Sequence, residues 1–334
     1  MQKIKFRTKV EIFGAIVFVA LLVAVSAASV TRTITDSTDN SYTFIRNSNG
    51  KYWEATGANL QIAVNDLATT GGTVWVGSDI TLTSALKINK SYITVDFEDH
   101  QVTLGGDISF VNVSSGSTTG ACYNTIRNAR VKITNGHTAS IISLYIKPHG
   151  RWVDRVRYNI FENINIINSY ANNHAWTGIH LNIDVGEDSP ADMANFLFNT
   201  FRDITMNSCK TGILLECDDT DAWGNGNLFE NIWIDDGFET GVYFKVDSGA
   251  TNGFNQNLFN NIKLQTDTWS KDGFKNINGN GNHFDHCLVW DWYAAISPNH
   301  EWSISSGANK TYICAHYISE ILDQGTGTNV ANPI

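Results

Sequence analysis

Three segments of this chain align without a gap and end on the same acid: Thr177 to Asp184 (TGIHLNID), Thr211 to Asp218 (TGILLECD) and Thr240 to Asp247 (TGVYFKVD). In each, apolar residues alternate with polar ones, the two-residue period of a half-buried strand. Ser140 to Lys147 (SIISLYIK) fits the same register. If such strands lie side by side at about 4.8 Å, their outward residues form columns. The eighth positions are Lys147, Asp184, Asp218 and Asp247. The sixth are Tyr145, Asn182, Glu216 and Lys245, and the fourth are Ser143, His180, Leu214 and Tyr243.

Those columns offer three kinds of chemistry. Carboxylates held at strand spacing repel, which raises a pKa or invites a hard divalent cation, so Asp184, Asp218 and Asp247, with Glu216, are candidate Ca²⁺ ligands, Asn182 and loop carbonyls completing the shell. Glu216 and Asp218, two apart on one strand, put their carboxyls about 6.5 to 7 Å apart, within the ~6.5 to 9.5 Å of an inverting glycosidase. Asp184 and Asp218, on adjacent strands, come nearer the ~5 Å of a retaining pair. Lys245 is the local candidate base for proton abstraction. Turn preference accounts for an Asp ending each strand. It does not account for Glu216, Lys245, His180 and Tyr243 beside it.

A second repeat must position these strands. Asn227 to Ile234 (NLFENIWI) has near-copies beginning at Asn124, Asn159, Asn199, Asn257 and Asn282, with starts 35, 40, 28, 30 and 25 residues apart. Asn stands first, Phe or Ile third, Asn, Asp or His fifth, and apolar residues sixth and eighth. This pattern predicts a strand with a corner, its bend satisfied by side-chain amides that can hydrogen-bond to their own copies. Repeats at such spacing mean a solenoid. Each turn carries at least two strands, and no helical period lies between Tyr123 and Trp292.

These repeats resemble the right-handed parallel β-helix of the pectate lyase-like superfamily, which includes polysaccharide lyases, polygalacturonases and phage tailspikes. The resemblance covers roughly residues 57–325 and implies an all-β solenoid. Its catalytic motifs do not carry over. Asp218-Asp219 matches the Asp-Asp of polygalacturonases, but the Asn-Thr-Asp, Gly-His-Gly and Arg-Ile-Lys that accompany it have no counterpart in place, and Gly136-His137 is followed by Thr138. No arginine on the candidate face matches the base of typical pectate lyases.

The remaining sequence bounds the setting. Lys3, Lys5, Arg7 and Lys9 precede an apolar run from Ile12 to Ala28 that ends in small residues, as in a secretory signal over 1–28; an uncleaved anchor is the alternative, and the one route to a membrane. Removing that stretch takes away four bases and Glu11, a net +3, so the formal charge of −10 becomes −13. Such acidity argues against a nucleic-acid partner. Five irregularly spaced cysteines make no disulfide framework, and Cys217 and Cys287 fall on inward positions.

Residues 29–56 form a Thr-, Ser- and Asn-rich lead-in. A helix is expected over Ala58–Leu67, with Leu60, Ala63, Val64 and Leu67 on one face and Asn59 as N-cap, closing the end of a solenoid over 57–325. Short strands begin at Thr73, and 326–334 reads as a polar tail. Trp176, Trp223, Trp233, Trp269, Trp290 and Trp292 fall in loops or at outward positions, and Trp233, outward at a strand centre, is the best candidate to stack on a sugar ring. The expected function is recognition, with cleavage, of an extracellular polysaccharide or cell-surface glycan by a lyase or glycoside hydrolase; the alternative is a non-catalytic surface, adhesion or tailspike-like binder. Candidate catalytic residues are Glu216, Asp218 and Lys245. Candidate substrate contacts are His180, Tyr243, Trp233 and Asn182.

Overall fold

The computed structural model describes residues 34–35, 41–42, 44–115, 120–146, 155–169, 174–183, 195–217, 223–246, 253–266, 270, 272–291, 300–315 and 321–331. The chain divides at Thr43. In the first unit, Ile34–Thr35 pairs antiparallel with Ser41–Tyr42. The second unit, residues 44–334, is all-β among its described residues apart from one helix, and its strands form a long, largely parallel sheet. The expected signal, 1–28, lies outside the described residues. Among those described, no helix is long and apolar enough to cross a membrane.

Entry into this unit is antiparallel. Phe44–Asn47 pairs with Tyr52–Glu54 and then with Gly72–Val76. Among the described residues, the strands from Gly72 onward pair with one another in parallel, joining like positions of successive copies, such as Gly72–Val76 with Ile93–Asp96 and Ile80–Leu82 with Gln101–Leu104. The helix runs Gly57–Asp66 and buries Leu60, Ala63 and Val64, with Leu67 just beyond it. Its N-cap is Thr56, not Asn59. The Thr56 hydroxyl accepts from the Asn59 backbone N–H at 3.2 Å, while the Asn59 amide turns back to the Glu54 carbonyl. Two polar residues stood near the helix start, and only the one with extended backbone could cap.

The Asn repeats pair in register. Phe161, Phe201, Phe229, Phe259 and Phe284 stack at 4.6 to 5.0 Å between ring centroids, all fully buried. Their first-position asparagines form a buried ladder in which each Oδ1 accepts from the preceding copy, from Asn124 through Asn282. The predicted corner lies at the fifth position. Asn128, Asn163, Asp203, Asn231, Asn261 and His286 all have φ between 51 and 57°. Asn and Asp tolerate this left-handed region better than other side chains, which is why they recur there.

A third, short strand was not anticipated. Ala121–Cys122, Arg155–Arg157, Asn195–Leu197 and Trp223–Asn225 pair in parallel as a separate four-stranded sheet just ahead of the asparagines. Two or three residues are too few to show alternation. Between this sheet and each ladder asparagine, Tyr123, Tyr158 and Phe198 take left-handed φ and stack with Tyr92 as an exposed aromatic ridge. Toward the C-terminus, pairing continues through His300–Asn309, Tyr312–Ala315, Ile321–Asp323 and Asn329–Ala331.

The Thr-Gly strands follow from packing against the Asn repeats. A Cβ on Gly212 would lie 2.0 Å from Ile234 Cδ1 and 2.7 Å from the Gly241 carbonyl oxygen, and Gly178 and Gly241 are equally tight against Met206 and Leu264. The eighth-position side chain of one Asn repeat therefore occupies the space a side chain would need at the glycine of the previous level. None of the five cysteines is in a disulfide. Burial pushes Cys209 and Cys287 up to about 12, which makes them inert apolar filler. Trp176 departs from expectation: it is fully buried, just ahead of the strand that begins at Thr177.

Candidate binding face

The outward columns of the Thr-Gly strands pair as read. Tyr145, Asn182, Glu216 and Lys245 are successive partners, and so are Ser143, His180, Leu214, Tyr243 and Lys275. Asp184, Asp218 and Asp247 lie outside the described residues. Among those described, no group of three or more His, Cys, Asp or Glu is arranged to hold a metal ion.

Contacts in this face run both between columns and along them. His180 Nε2 lies 2.9 Å from Glu216 Oε2, and Lys245 Nζ donates to Glu216 Oε1. The Glu216 and His180 side chains are 18% and 16% exposed, and Lys245 is 52% exposed. The hydrogen bond from His180 dominates the Glu216 environment and, with that from Lys245 and both charges, holds its carboxyl down to about 2 against the opposing effect of burial. On the other ring nitrogen, His180 Nδ1 lies 3.1 Å from Ser140 Oγ.

Glu216, His180 and Lys245 are thus one cluster, and Glu216 is a fixed anion with both oxygens engaged. It cannot deliver a proton near neutrality, so the acid half of a two-carboxylate glycosidase does not fall to it. Tyr243 is half-buried under Lys275, whose Nζ sits 5.3 Å from the ring centroid and pairs with Asp272 at 2.9 Å. Asn182 is half-buried between Tyr145 and Glu216.

Trp233 occupies a different place. It is the seventh residue of its Asn repeat, paired with Thr205 and Lys263, and 43% exposed. Its ring walls an open groove of 360 Å³ lined also by Asn165, Thr205, Asn207, Asp235 and Asp236, and by none of the His180 cluster. Thr205 Oγ1 donates to Asn165 Oδ1 at 2.9 Å, leaving the Asn165 amide N–H groups as donors to a ligand. Asn207 is held by its exchange with Asn168. Burial, with the charge of Asp236 adding to it, raises the Asp235 carboxyl above the usual carboxylate range.

Sequence reasoning singled out Trp233 but not its groove partners. Their signal was present as the seventh column, Arg130, Asn165, Thr205, Trp233, Lys263, Leu288, which carries no periodic chemistry until the register makes it a surface. The fourth column, Asp96, Arg127, Glu162, Arg202, Glu230, alternates in sign and was also missed. Arg127 bonds Asp96 at 2.9 Å, lies 3.9 Å from Glu162, and Arg202 Nε donates to Glu162 at 2.8 Å. A comparison with protein-family models finds none that matches this chain, and a comparison with curated proteins finds no match either.

Proposed function

We propose that this chain is an exported right-handed parallel β-helix of the pectate lyase-like kind that binds an extracellular polysaccharide along its flank. Parallel pairing of like positions in repeats 25 to 40 residues apart supports the solenoid. The observation that carries the function is the groove at Trp233. An indole face exposed at a strand centre, with amide and hydroxyl groups and carboxylates converging beside it, is the combination that takes a pyranose ring: the apolar face stacks while the rim meets the hydroxyls.

Charge narrows the polymer. Asp235 and Asp236 line the groove and the chain is acidic overall, so a polyuronate meets repulsion while a neutral or amino-sugar polymer does not. Binding, rather than cleavage through Glu216 and Asp218, is the reading, because Glu216 is held ionised by His180 and Lys245. Affinity electrophoresis of the full chain through gels cast with neutral glucan, xylan, mannan, chitosan or polygalacturonate tests it. Retardation by a neutral or aminated polymer is expected, and mobility unchanged in every gel would refute the function.

A further inference from the structure

Ser140, His180 and Glu216 belong to three successive strands, yet their side chains form one hydrogen-bonded line. Ser140 Oγ is 3.1 Å from His180 Nδ1, and His180 Nε2 is 2.9 Å from Glu216 Oε2. Register alone does not predict the first contact. Ser140 pairs with Thr177, three residues from His180, and three residues of straight strand span about 10 Å. The contact coincides with a break in the strand's regular pairing, which skips Ile141 and Gly178. Ile141 and Ile142 are both buried, as are Gly178 and Ile179, so the alternation breaks and the outward residues on either side of the break turn toward each other. Glycine is required at 178 because a Cβ there would lie 2.3 Å from Met206 Sδ.

We infer that Ser140 is a nucleophile, with His180 as its base and Glu216 as the group that orients the base, and that the site hydrolyses carboxylic esters of the O-acyl type borne by esterified sugars. The order of groups, nucleophile to base to carboxylate, is the one acyl-transfer sites share on unrelated folds. In the form of the site that reacts, the Glu216 carboxylate accepts the Nε2–H of His180, which fixes the tautomer and leaves the Nδ1 lone pair facing the Ser140 hydroxyl. Lys245 holds the other Glu216 oxygen and so fixes the direction of the carboxylate.

In the forward step the Ser140 proton passes to His180 Nδ1 as Oγ bonds to the ester carbonyl carbon. The tetrahedral oxyanion collapses, the carbon–oxygen bond to the alcohol breaks, and the departing oxygen takes the proton from His180. Water then gives a proton to His180 and its oxygen to the acyl carbon; Ser140 leaves and recovers the proton, and the products are the alcohol and the carboxylic acid. Thr177, paired with Ser140 about 4.8 Å across the ladder, carries the hydroxyl that register places best to donate to the oxyanion.

The test uses the full chain with a fluorophosphonate probe, which phosphonylates activated serines, and with p-nitrophenyl acetate as substrate. Labelling that maps by mass spectrometry to Ser140, and is lost in Ser140→Ala but kept in Ser143→Ala, is expected. Acetate-ester hydrolysis is expected to fall at least 100-fold in Ser140→Ala and His180→Ala. In the positioning variant Glu216→Gln it is expected to fall about 10-fold in kcat at unchanged KM, with an altered pH–rate profile. Circular dichroism checks that each variant is folded. Absence of label on Ser140 in the wild-type chain, or hydrolysis unchanged in folded Ser140→Ala, overturns the inference and leaves the binding groove at Trp233 untouched.

Discussion

Asn159 donates both its backbone N–H and its side-chain amide to a single oxygen, Oδ1 of Asn199, at 3.1 and 2.9 Å, and both residues are completely buried. Asn199 repeats the arrangement onto Asn227 at 3.0 Å and bonds the Val156 carbonyl at 2.9 Å. Each amide thereby satisfies backbone groups at a corner where strand pairing leaves them without partners. Replacing Asn199 with Ala strands two donors of Asn159 and takes the amide donor from the Val156 carbonyl, while Asn227 Oδ1 keeps the backbone N–H of residue 199. At about 1 to 3 kcal/mol for each buried unpaired group, a loss of at least 3 kcal/mol is expected in urea denaturation. Asn199→Asp is expected to be worse, since it buries an ionised group.

Two acid transitions are expected in a thermal-melt series against pH. His137 is fully buried with the Asp107 carboxylate 3.8 Å away, and burial lowers its pKa from 6.5 despite that charge. The unfolded chain therefore binds more protons, so this contribution is complete above pH 6.5 and is lost as pH falls below it. Glu216 is depressed from 4.5 to about 2, so its contribution is present above pH 4.5 and is lost between 4.5 and about 2. His137→Leu should flatten the first step alone, and Glu216→Gln the second alone.

The fourth-column ladder should be sensitive to salt. Glu162 accepts from Arg202 and faces Arg127, with its own side chain 17% exposed. Glu162→Ala leaves two guanidinium groups facing each other and should cost about 1 kcal/mol at low ionic strength. In 1 M NaCl, where the screening length is about 3 Å, the difference from wild type should shrink to less than half. A cost independent of salt would point to packing instead.

Binding in the groove should depend on the indole. Trp233→Ala removes the stacking face while leaving Asn165, Thr205 and the strand pairing in place, and a loss of about 10-fold or more in affinity, at least ~1.4 kcal/mol, is expected by titration calorimetry with the retained polymer. Asp235→Asn combined with Asp236→Asn should leave binding to neutral polymer within about 3-fold and make a polyuronate easier to accept, since the repulsion is removed.

The residues themselves determined a good part of this protein. The Asn repeat fixes a strand and a corner because Asn and Asp are the side chains that accept φ near 50° and cap backbone groups, and the Thr-Gly repeat fixes which residues face outward. Column membership followed from gap-free alignment, since parallel pairing keeps identical positions adjacent, as Asn182 beside Glu216 and Glu216 beside Lys245 show. Tertiary structure decided what periodicity cannot express. A two-residue break in alternation brings Ser140 to His180, Glu216 reaches diagonally to His180 as well as along its own column to Lys245, and the short strand ahead of Asn124 is too brief to leave a pattern. Trp233 faces outward as its strand's alternation predicts, while Trp176, ahead of the strand and outside any alternation, is buried by contacts that only the tertiary structure supplies.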